Sequence, residues 1–435
     1  MAVGESWGRY PVSAQSLVTL RRRDVGFDTS GGHCLPYGNG RSYGDSCLND
    51  GGILLHTRQL DHYIAFDPDS GVLRCEAGVQ LADILPLILP HGWFLPVSPG
   101  TKFVTVGGAI ANDVHGKNHH VAGTFGHHLR AFELLRSDGE HLLCTPEKHA
   151  DWFAATVGGL GLTGLVTWAE IALRRVDGPW IASETLKIRN LGEFFSLSED
   201  SNQHHEYTVA WIDCTARGKS LGRGLFTRGN HAEARHQNRP RSPAHRPGVP
   251  FTPPFSLVNR VTLRAFNVIY RNRQLRRRRK SIDHYESFFY PLDGLANWNR
   301  MYGPSGFLQY QCVIPPAAAV DATLELLRLI SAEGTGSFLV VLKQFGARPS
   351  TGMLSFPRLG TTLAIDFPIV AGHRVFALLE RLDDVVADAG GAVYPAKDAR
   401  MSGLRFKQFF PAWERFQAFI DPCFSSSFWR RVMGL

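Results

Sequence analysis

The segment Pro36–Asp45 has the sequence PYGNGRSYGD, with three glycines in seven positions. Its three glycines allow positive φ angles and let backbone N–H groups come close to an anion, while Arg41 and Ser42 can donate to phosphate oxygens. The segment therefore predicts a cradle for a pyrophosphate. It is not a Rossmann fingerprint, because that motif needs a helix directly after its glycines, and residues 45–52 have the composition of a loop. Taken alone, it is equally typical of a glycine turn without a ligand.

Two further glycine-rich segments follow, Ser98–His115 and Val157–Val166. The small residues Val106–Ala111 allow the backbone to lie flat against a planar ligand, and Thr105 and Asn112 can hydrogen-bond phosphate or ribose. The later segment, VGGLGLTGLV, predicts a glycine turn before a strand. Three such clusters, each flanked by apolar β-like sequence, indicate one shared dinucleotide site more readily than three separate turns.

Composition limits the class of protein. The 435 residues are 44% apolar and 20% charged, which fits a two-domain globular chain. The longest apolar stretch, Leu81–Val97, is interrupted and shorter than the ~20 apolar residues of a membrane-spanning helix. Met1–Tyr10 has no signal-peptide pattern, so a cytoplasmic location, or a peripheral one at either face of the membrane, is expected. The seven cysteines are scattered and odd in number, and predict neither a disulfide framework nor a metal site.

The segment Arg271–Lys280, RNRQLRRRRK, carries seven of the basic side chains behind the net charge of +8. Such a run is most typical of a solvated face or a mobile loop. A phosphate-bearing lipid or substrate is the next interpretation, and nucleic acid the third, since no nucleic-acid motif accompanies the charges. Apolar and aromatic neighbours favour a membrane surface among these, namely Leu257, Val258, Phe266, Ile269 and Tyr270.

Hydrophobic patterning indicates an α+β chain. A short or kinked helix is predicted within Val79–Pro90, because Pro86 interrupts its apolar spacing. A turn at Val176–Pro179 marks a boundary, and Arg235–Pro254 reads as a mobile loop. Four β-like runs are predicted before the boundary, at Gly52–His56, Val72–Ala77, Arg130–Leu135 and Gly164–Leu173. After it, helices are predicted at Ala317–Glu333 and Arg374–Ala389, and strands at Ser337–Lys343 and Thr361–Ile369.

Motifs along nearly the whole chain resemble those of a known family. They are GNGRSYGD (38–45), PGT (99–101), TVGGAIANDVHGKNHH (105–120), ATVGG (155–159), GLTG (161–164), YPLD (290–293), WNRMYGPSGFLQYQ (298–311), LKQFG (342–346), LSFP (354–357), IDFPI (365–369) and YPAKDAR (394–400). They resemble FAD-dependent oxidoreductases of the vanillyl-alcohol-oxidase type, and among these the decaprenylphosphoryl-β-D-ribose 2'-oxidase group. The resemblance implies a two-subdomain FAD-binding domain (PCMH type) in residues 1–178, completed by 393–435. Residues 179–392 would form a substrate domain with a β-sheet covered by helices.

The resemblance implies FAD as cofactor, bound noncovalently. Relatives with covalent flavin carry a histidine where this chain has Asp45, and no thiol stands at Asn112–Val114. The chain between Trp7–Pro11 and the first glycine segment is short for the family, so its first helix is expected to be trimmed. The implied cofactor-binding residues are Gly38, Asn39, Gly40, Arg41, Ser42, Tyr43, Gly44, Asp45, Gly100, Thr105, Val106, Gly107, Gly108, Asn112, His115, Gly161, Val166 and Tyr394.

The activity implied is oxidation of the 2'-hydroxyl of a polyprenyl-phosphoryl pentose to a keto sugar, with hydride passing to the flavin. A separate short-chain dehydrogenase would reduce that ketone, completing an epimerisation for arabinose-type precursors of a cell-wall arabinan. Lys397 is the expected general base, its pKa lowered by burial beside a cation such as Lys343. His115 is expected near flavin and substrate, or else simply hydrogen-bonded within its loop.

The implied substrate-binding residues are Tyr43, Gln309, Gln311, Lys343, Tyr302 and Ala364. Strand alternation predicts Gln309 and Gln311 on one face and Tyr310 on the other, although two such glutamines are also typical of a solvent-facing strand. Ala364 stands where some relatives carry a reactive cysteine, which predicts insensitivity to inhibitors that capture a thiol there. Two other functions stay open, an aldonolactone or alditol oxidase that uses O2, and a non-enzymatic basic protein that binds membrane or nucleic acid.

Overall fold

The computed structural model describes residues 3–24, 26–27, 32–233, 247–370 and 373–435, and within these ranges its strands form four sheets. The first is a parallel sheet of β1 (Ser16–Thr19), β2 (Cys34–Tyr37) and β3 (Ile53–His56), with β3 in the centre. β3 is apolar and its leucines are fully buried. Since β2 ends at Tyr37, the first glycine segment leaves the sheet at its carboxyl end.

An antiparallel five-stranded sheet follows, in the order β4-β5-β9-β7-β8. Its strands are β4 (Tyr63–Asp67), β5 (Val72–Glu76), β7 (Leu129–Leu135), β8 (His141–Cys144) and β9 (Leu165–Ala172). Helices α1 (Leu81–Ile88) and α2 (Val106–Ala111) share its apolar core. α1 contains Pro86 and passes into a 3-10 turn at Leu89–His91, which confirms the predicted short helix. All four predicted β-like runs are strands. A two-stranded sheet pairs β6 (Trp93–Phe94) with β10 (Arg174–Arg175).

The largest sheet has eight strands in the order β14-β11-β13-β12-β16-β17-β15-β18, all antiparallel. They are β11 (Trp180–Ile188), β12 (Tyr207–Ile212), β13 (Gly224–His231), β14 (Arg278–His284), β15 (Phe307–Ile314), β16 (Val340–Phe345), β17 (Gly360–Pro368) and β18 (Ala392–Val393). Both strands predicted in this region are present. The predicted strand Ser337–Lys343 corresponds to β16, which begins three residues later, and Thr361–Ile369 corresponds to β17.

Helices cover this sheet, as predicted. α8 (Ala319–Glu333) and α9 (His373–Asp388) bury their apolar sides with residues of β15, β16 and β17 in one core, and both helices were predicted from periodicity. The remaining helices are α3 (His119–Ala122), α4 (Ala150–Thr156), α5 (Leu191–Asn202), α6 (Arg260–Asn272), α7 (Tyr285–Phe289), α10 (Gly403–Phe409), α11 (Trp413–Gln417) and α12 (Ser427–Met433). None of the described helices is both long and apolar enough to cross a membrane.

The C-terminal segment returns to the N-terminal sheet. The N–H of Cys34 donates to the carbonyl of Cys423 (2.7 Å), and the N–H of Ser425 donates to the carbonyl of Cys34 (2.9 Å). The strands of the eight-stranded sheet all lie between Trp180 and Val393, and the chain outside these limits contributes to the N-terminal sheets. This arrangement supports the proposed division into domains at residues 178 and 393.

The basic segment Arg271–Lys280 is only partly a loop. Its first two residues end α6 and its last three begin β14, whose backbone pairs with β11, while residues 273–277 connect these two elements. Its side chains from Arg276 onward are exposed, as expected for a solvated face. Of the predicted loop Arg235–Pro254, residues 235–246 lie outside the described part of the chain. The described residues between β1 and β2, which are 20–24, 26–27 and 32–33, contain no helix.

Candidate active site

One cavity of about 960 Å³ lies between the glycine segments and the eight-stranded sheet. Its volume is at the upper end of the roughly 300–1,000 Å³ typical of ligand pockets. The cavity brings together residues from all three glycine segments and from the later strands. The predicted cofactor residues that line it are Gly38, Asn39, Gly40, Arg41, Ser42, Tyr43, Gly100, Thr105, Gly107, Gly108, Asn112, His115, Gly161, Val166 and Tyr394.

Three predicted cofactor residues do not line this cavity: Gly44, Asp45 and Val106. Val106 is fully buried in the core of the five-stranded sheet. The buried carboxylate of Asp45 accepts from Arg431, with Nε and Oδ2 2.7 Å apart. Asp45 therefore joins the glycine segment to α12, and the sequence could not reveal this because its partner is near the other end of the chain.

The glycines of the first segment serve mainly to let neighbouring segments pack against its backbone. Of the three glycines that allow a positive φ, only Gly40 adopts one, +58°. A Cβ on Gly38 would lie 2.3 Å from Oγ1 of Thr105, and one on Gly44 would lie 1.7 Å from the carbonyl oxygen of Asp398. These two positions need glycine because neighbouring segments pack directly against the backbone.

α2 is held by its own polar residues. Oγ1 of Thr105 accepts from the N–H of Gly108 (3.1 Å), which caps the helix, and Nδ2 of Asn112 donates to the carbonyl of Gly108 (2.8 Å). Both side chains also border the cavity. The third segment turns sharply, with positive φ at Gly158, Leu160 and Gly161 before β9, as predicted.

A partly buried arginine, Arg41, makes the glycine-lined half suitable for a pyrophosphate. The guanidinium of Arg41 donates to the carbonyl of Asn39 (2.6 Å) and lies 4.5 Å from the ring centroid of Trp7. Burial lowers its pKa, which means that the charged form lacks full compensation there. A phosphate oxygen would supply that compensation. These residues and the small side chains of α2 fit FAD.

His115 links three elements in the other half of the cavity. Its Nδ1 lies 2.9 Å from Nζ of Lys343, and its Nε2 lies 3.1 Å from Nε2 of Gln311. Burial, and then the charge of Lys343, keeps the pKa of His115 well below its usual range, so its ring is neutral. Burial also lowers the pKa of Lys343 to about 7. Both predicted residues are thus brought together, and His115 is more than a loop histidine.

Lys397 lies in the 3-10 turn Pro395–Lys397, directly after β18. Its Nζ is 3.9 Å from the ring centroid of Tyr43. Burial lowers its pKa to about 7, and the carboxylate of Asp366 opposes that shift. The predicted lowering by burial is present, and the predicted neighbour also interacts with it, because the charge of Lys397 helps to lower the pKa of Lys343. A group with this pKa can take up a proton near neutral pH.

The predicted alternation of β15 is present. Gln309 and Gln311 line the cavity, whereas Tyr310 packs in the core on the other face. Gln311 is only 5% exposed, so the solvent-facing alternative is wrong. Ala364 lies opposite Gln311 on β17 and also borders the cavity.

Asp366 was missed by sequence reasoning. It is 2% exposed, and it accepts from Nε2 of Gln309 (2.6 Å) and from the hydroxyl of Tyr302 (3.3 Å). Burial raises its pKa to about 6. The available signal was a single acid in the otherwise apolar end of β17, LAIDFP. Tyr302 was predicted to bind substrate, but it does not line the cavity. Its ring stacks on Phe307 with centroids 4.1 Å apart, and its hydroxyl holds Asp366 in place.

Lys117 was also missed. It borders the cavity, its Nζ donates to the carbonyl of Phe289 (3.1 Å), and burial lowers its pKa to about 7. Its proximity helps to lower the pKa of Lys343 as well. The cavity thus holds three lysines whose charges are only partly compensated. Among the described residues, no group of histidine, cysteine and acidic side chains could hold a metal ion.

Comparison with known proteins decides the family. Residues 28–145 match the FAD binding domain family. The decaprenylphosphoryl-β-D-ribose oxidase of Mycolicibacterium smegmatis is 34% identical over 99% of this chain and 97% of its own length. This chain belongs to that oxidase's family. It is an FAD-dependent oxidoreductase of α+β, PCMH-type fold.

Two other relatives match smaller parts of this chain. An uncharacterised protein of Streptomyces coelicolor is 34% identical over 81% of this chain and all of its own length. The L-gulonolactone oxidase of mouse is 30% identical, but over only 30% of this chain and 29% of its own length. The latter similarity is therefore restricted to less than a third of either chain.

Proposed function

We propose that the protein oxidises the 2'-hydroxyl of a polyprenyl-phosphoryl pentose to a keto sugar. The observation that carries this proposal is the position of Lys397, whose pKa is lowered to about 7 at the cavity that the glycine segments share. The relative from Mycolicibacterium smegmatis, which is similar over almost the entire chain, is named for a decaprenylphosphoryl ribose.

FAD would be held noncovalently in the glycine-lined half. Gly38, Arg41 and Gly107 lie where the backbone or a guanidinium can meet the dinucleotide. Asp45 occupies the position that carries a histidine in relatives with covalent flavin, and its carboxylate is engaged by Arg431. A carboxylate cannot form the histidyl linkage, so release of the flavin on denaturation is expected.

Lys397 would act as general base. Flavin, when bound, supplies the acceptor for the hydride that leaves the carbinol carbon. Lys397 accepts the hydroxyl proton, which must leave for the ketone to form. Gln309 and Gln311 offer amides to the sugar hydroxyls from the same strand face, and His115 remains a neutral hydrogen-bonding partner.

The remaining lysines suit the phosphate of the substrate. Lys117 and Lys343 are buried cations that raise the free energy of each other's charged form, and a phosphate between or beside them would relieve that cost. A sugar held by glutamines and a phosphate held by lysines give the substrate a fixed orientation.

The product would need a second enzyme. A keto sugar is reactive and is only halfway to an epimer, so we propose a short-chain dehydrogenase as the partner that reduces it. Peripheral contact with a membrane, from the cytoplasm or the other face, would give access to the prenyl chain. A ketone that accumulates until an NADH-dependent reductase is added is the expected result, and no reductase-dependent epimer would contradict the partnership.

The deciding experiment is anaerobic mixing of the purified yellow protein with a polyprenyl-phosphoryl ribose. The flavin absorbance should bleach for the wild type. Lys397→Ala should stay yellow, while Lys219→Ala, which changes an exposed lysine, should bleach normally. Peroxide formation from a polyol panel without bleaching by the lipid-linked sugar would favour an alditol or aldonolactone oxidase, and a colourless protein would favour a non-enzymatic role.

A further inference from the structure

The solvent side of α6 carries an apolar ridge. Val261 is 76% exposed and Ile269 is 70% exposed, and Ala265 and Val268 are exposed with them. Their spacing places all four on one side of the helix. The opposite side is already buried through Leu263. The ridge is therefore not needed for folding, and as an exposed apolar surface it points to a partner.

Basic side chains border this ridge. Residues 260–280 contain nine basic and no acidic residues. By helical spacing, Arg260, Arg264 and Arg271 lie along one flank of the ridge and Arg273 follows at its end. No ion pair with the described residues is recorded for four of the exposed cations, Arg264, Arg276, Arg279 and Lys280.

Further exposed apolar side chains stand directly before and after α6. Phe251 and Phe255 precede it, and Leu275, 90% exposed, follows it. Large aromatic and aliphatic groups next to a row of arginines are typical of an element that lies in the interface of a bilayer, with its apolar side in the acyl boundary and its cations at the head groups.

The same element reaches the active-site cavity. Tyr270 on α6 and Arg273 at its C-terminal end line the cavity that also contains Lys397, and Arg279 on β14 lines it as well. A molecule anchored in a bilayer below α6 would thus have a continuous route to the lysine. This connection rests on the proposed function, whereas the docking itself does not.

We propose that the ridge on α6 and its bordering arginines form a docking face for an anionic lipid bilayer. Docking there turns the α6 end of the cavity toward the membrane. Nucleic acid is the less fitting occupant, because phosphate contacts would use the arginines but leave the Val and Ile ridge exposed to water.

Sedimentation with lipid vesicles tests this face. The holoprotein should bind vesicles of phosphatidylcholine mixed with phosphatidylglycerol, bind pure phosphatidylcholine much less, and dissociate as salt rises. The double variant Arg264→Gln/Arg276→Gln should weaken binding about fivefold per arginine. Val268→Ser/Ile269→Ser should weaken it about tenfold or more, because the ridge can no longer bury apolar surface.

A control variant tests whether removal of exposed apolar side chains elsewhere on the surface also weakens vesicle binding. Val320→Ser/Leu404→Ser alters two exposed apolar side chains far from α6 in sequence, and should bind vesicles as the wild type does. All variants should keep the wild-type Tm and should be bleached normally by a water-soluble short-prenyl phosphoryl pentose. Wild-type vesicle binding by both α6 variants would overturn the proposal.

Two other results separate the possible conclusions. Binding of duplex DNA, but of neither vesicle type, would overturn bilayer docking in favour of nucleic acid. Vesicle binding that depends on α6, in a protein that no pentose substrate bleaches, would support docking and reject only the proposed oxidation.

Discussion

Lys397 is subject to two opposing influences on its pKa. Burial lowers the value to about 7, and the carboxylate of Asp366 works against that lowering. Asp366 is itself buried, with a pKa raised to about 6, and is held by Gln309 and Tyr302. Burial is the larger influence on Lys397, and the aspartate on β17 limits how far the pKa is lowered.

The rate of flavin reduction should depend on pH through this lysine. Only the neutral amine accepts a proton, and it predominates above its pKa of about 7. The rate should therefore rise about tenfold per pH unit below that value and level off above it. Anaerobic stopped-flow mixing across the pH range measures it. A rise that continues to the pKa of an exposed lysine, near 10.4, would contradict the assignment.

Asp366→Asn should move that profile. Without the carboxylate, the ammonium form of Lys397 loses its favourable neighbour, so its pKa falls and the acid limb shifts to lower pH, by roughly 1 unit. A merely structural role would lower the rate at every pH without moving the limb. Asp321→Asn, which alters an exposed aspartate on α8, is the matched control and should leave the profile unchanged.

Between elements, the first glycine segment packs directly against the turn that carries Lys397. The backbone of Gly44 packs against the carbonyl of Asp398, and the N–H of Tyr43 donates to the carbonyl of Ala396 (3.0 Å). The segment that meets the cofactor and the turn that holds the base are thus fixed to each other.

Gly44→Ala should disrupt this contact. The new methyl group would overlap a backbone oxygen, which cannot rotate away, and such overpacking costs at least about 1–3 kcal/mol. Lower flavin content and a lower Tm are expected, measured by absorbance and thermal unfolding. Gly294→Ala adds a methyl group where nothing lies within 4 Å, and should change neither. Normal flavin content in Gly44→Ala would refute the close-packing argument.

Regular elements were predictable from local sequence, and long-range pairings were not. The 3.6-residue periodicity of α8 and α9 and the two-residue alternation of β15 are written in consecutive residues. By contrast, nothing near Arg278 indicates that it joins a strand, because β14 forms only through pairing with β11, about a hundred residues away. For the same reason the motifs identified Lys397 but not Asp366, whose role depends on the cross-strand partner Gln309.

On the scale of the whole molecule, one arginine near the C-terminus joins segments that are far apart in the chain. Arg431 on α12 contacts the buried carboxylates of Asp45 and Asp398, the latter at 2.9 Å. It therefore connects the first glycine segment, the turn after Lys397 and the last helix. The family motifs indicated that the C-terminal segment completes the first domain, but they contained no sign of this arginine.

Arg431→Met should destabilise the protein strongly. Removing the cation leaves the buried carboxylate of Asp45 without its ion-pair partner and leaves Asp398 with only its backbone donors, Arg400 and Met401. Breaking a buried pair in this way typically costs about 3–5 kcal/mol. A clear fall in Tm and loss of flavin on gel filtration are expected. Arg415→Met removes an exposed arginine, whose partner Asp151 is also exposed, and should have little effect. An unchanged Tm for Arg431→Met would show that α12 is not needed to hold the segment.

The pairing of Asp45 with Arg431 also determines when, during synthesis of the chain, the flavin site can be completed. These residues are 386 positions apart in the chain. At translation speeds of about 5–20 residues per second, the glycine segment leaves the ribosome roughly 20–80 s before its arginine has been made. During that interval a nascent chain holds the dinucleotide loop without its last support. Flavin capture should consequently be a late step, and chains stalled before α12 should emerge colourless even when free FAD is abundant.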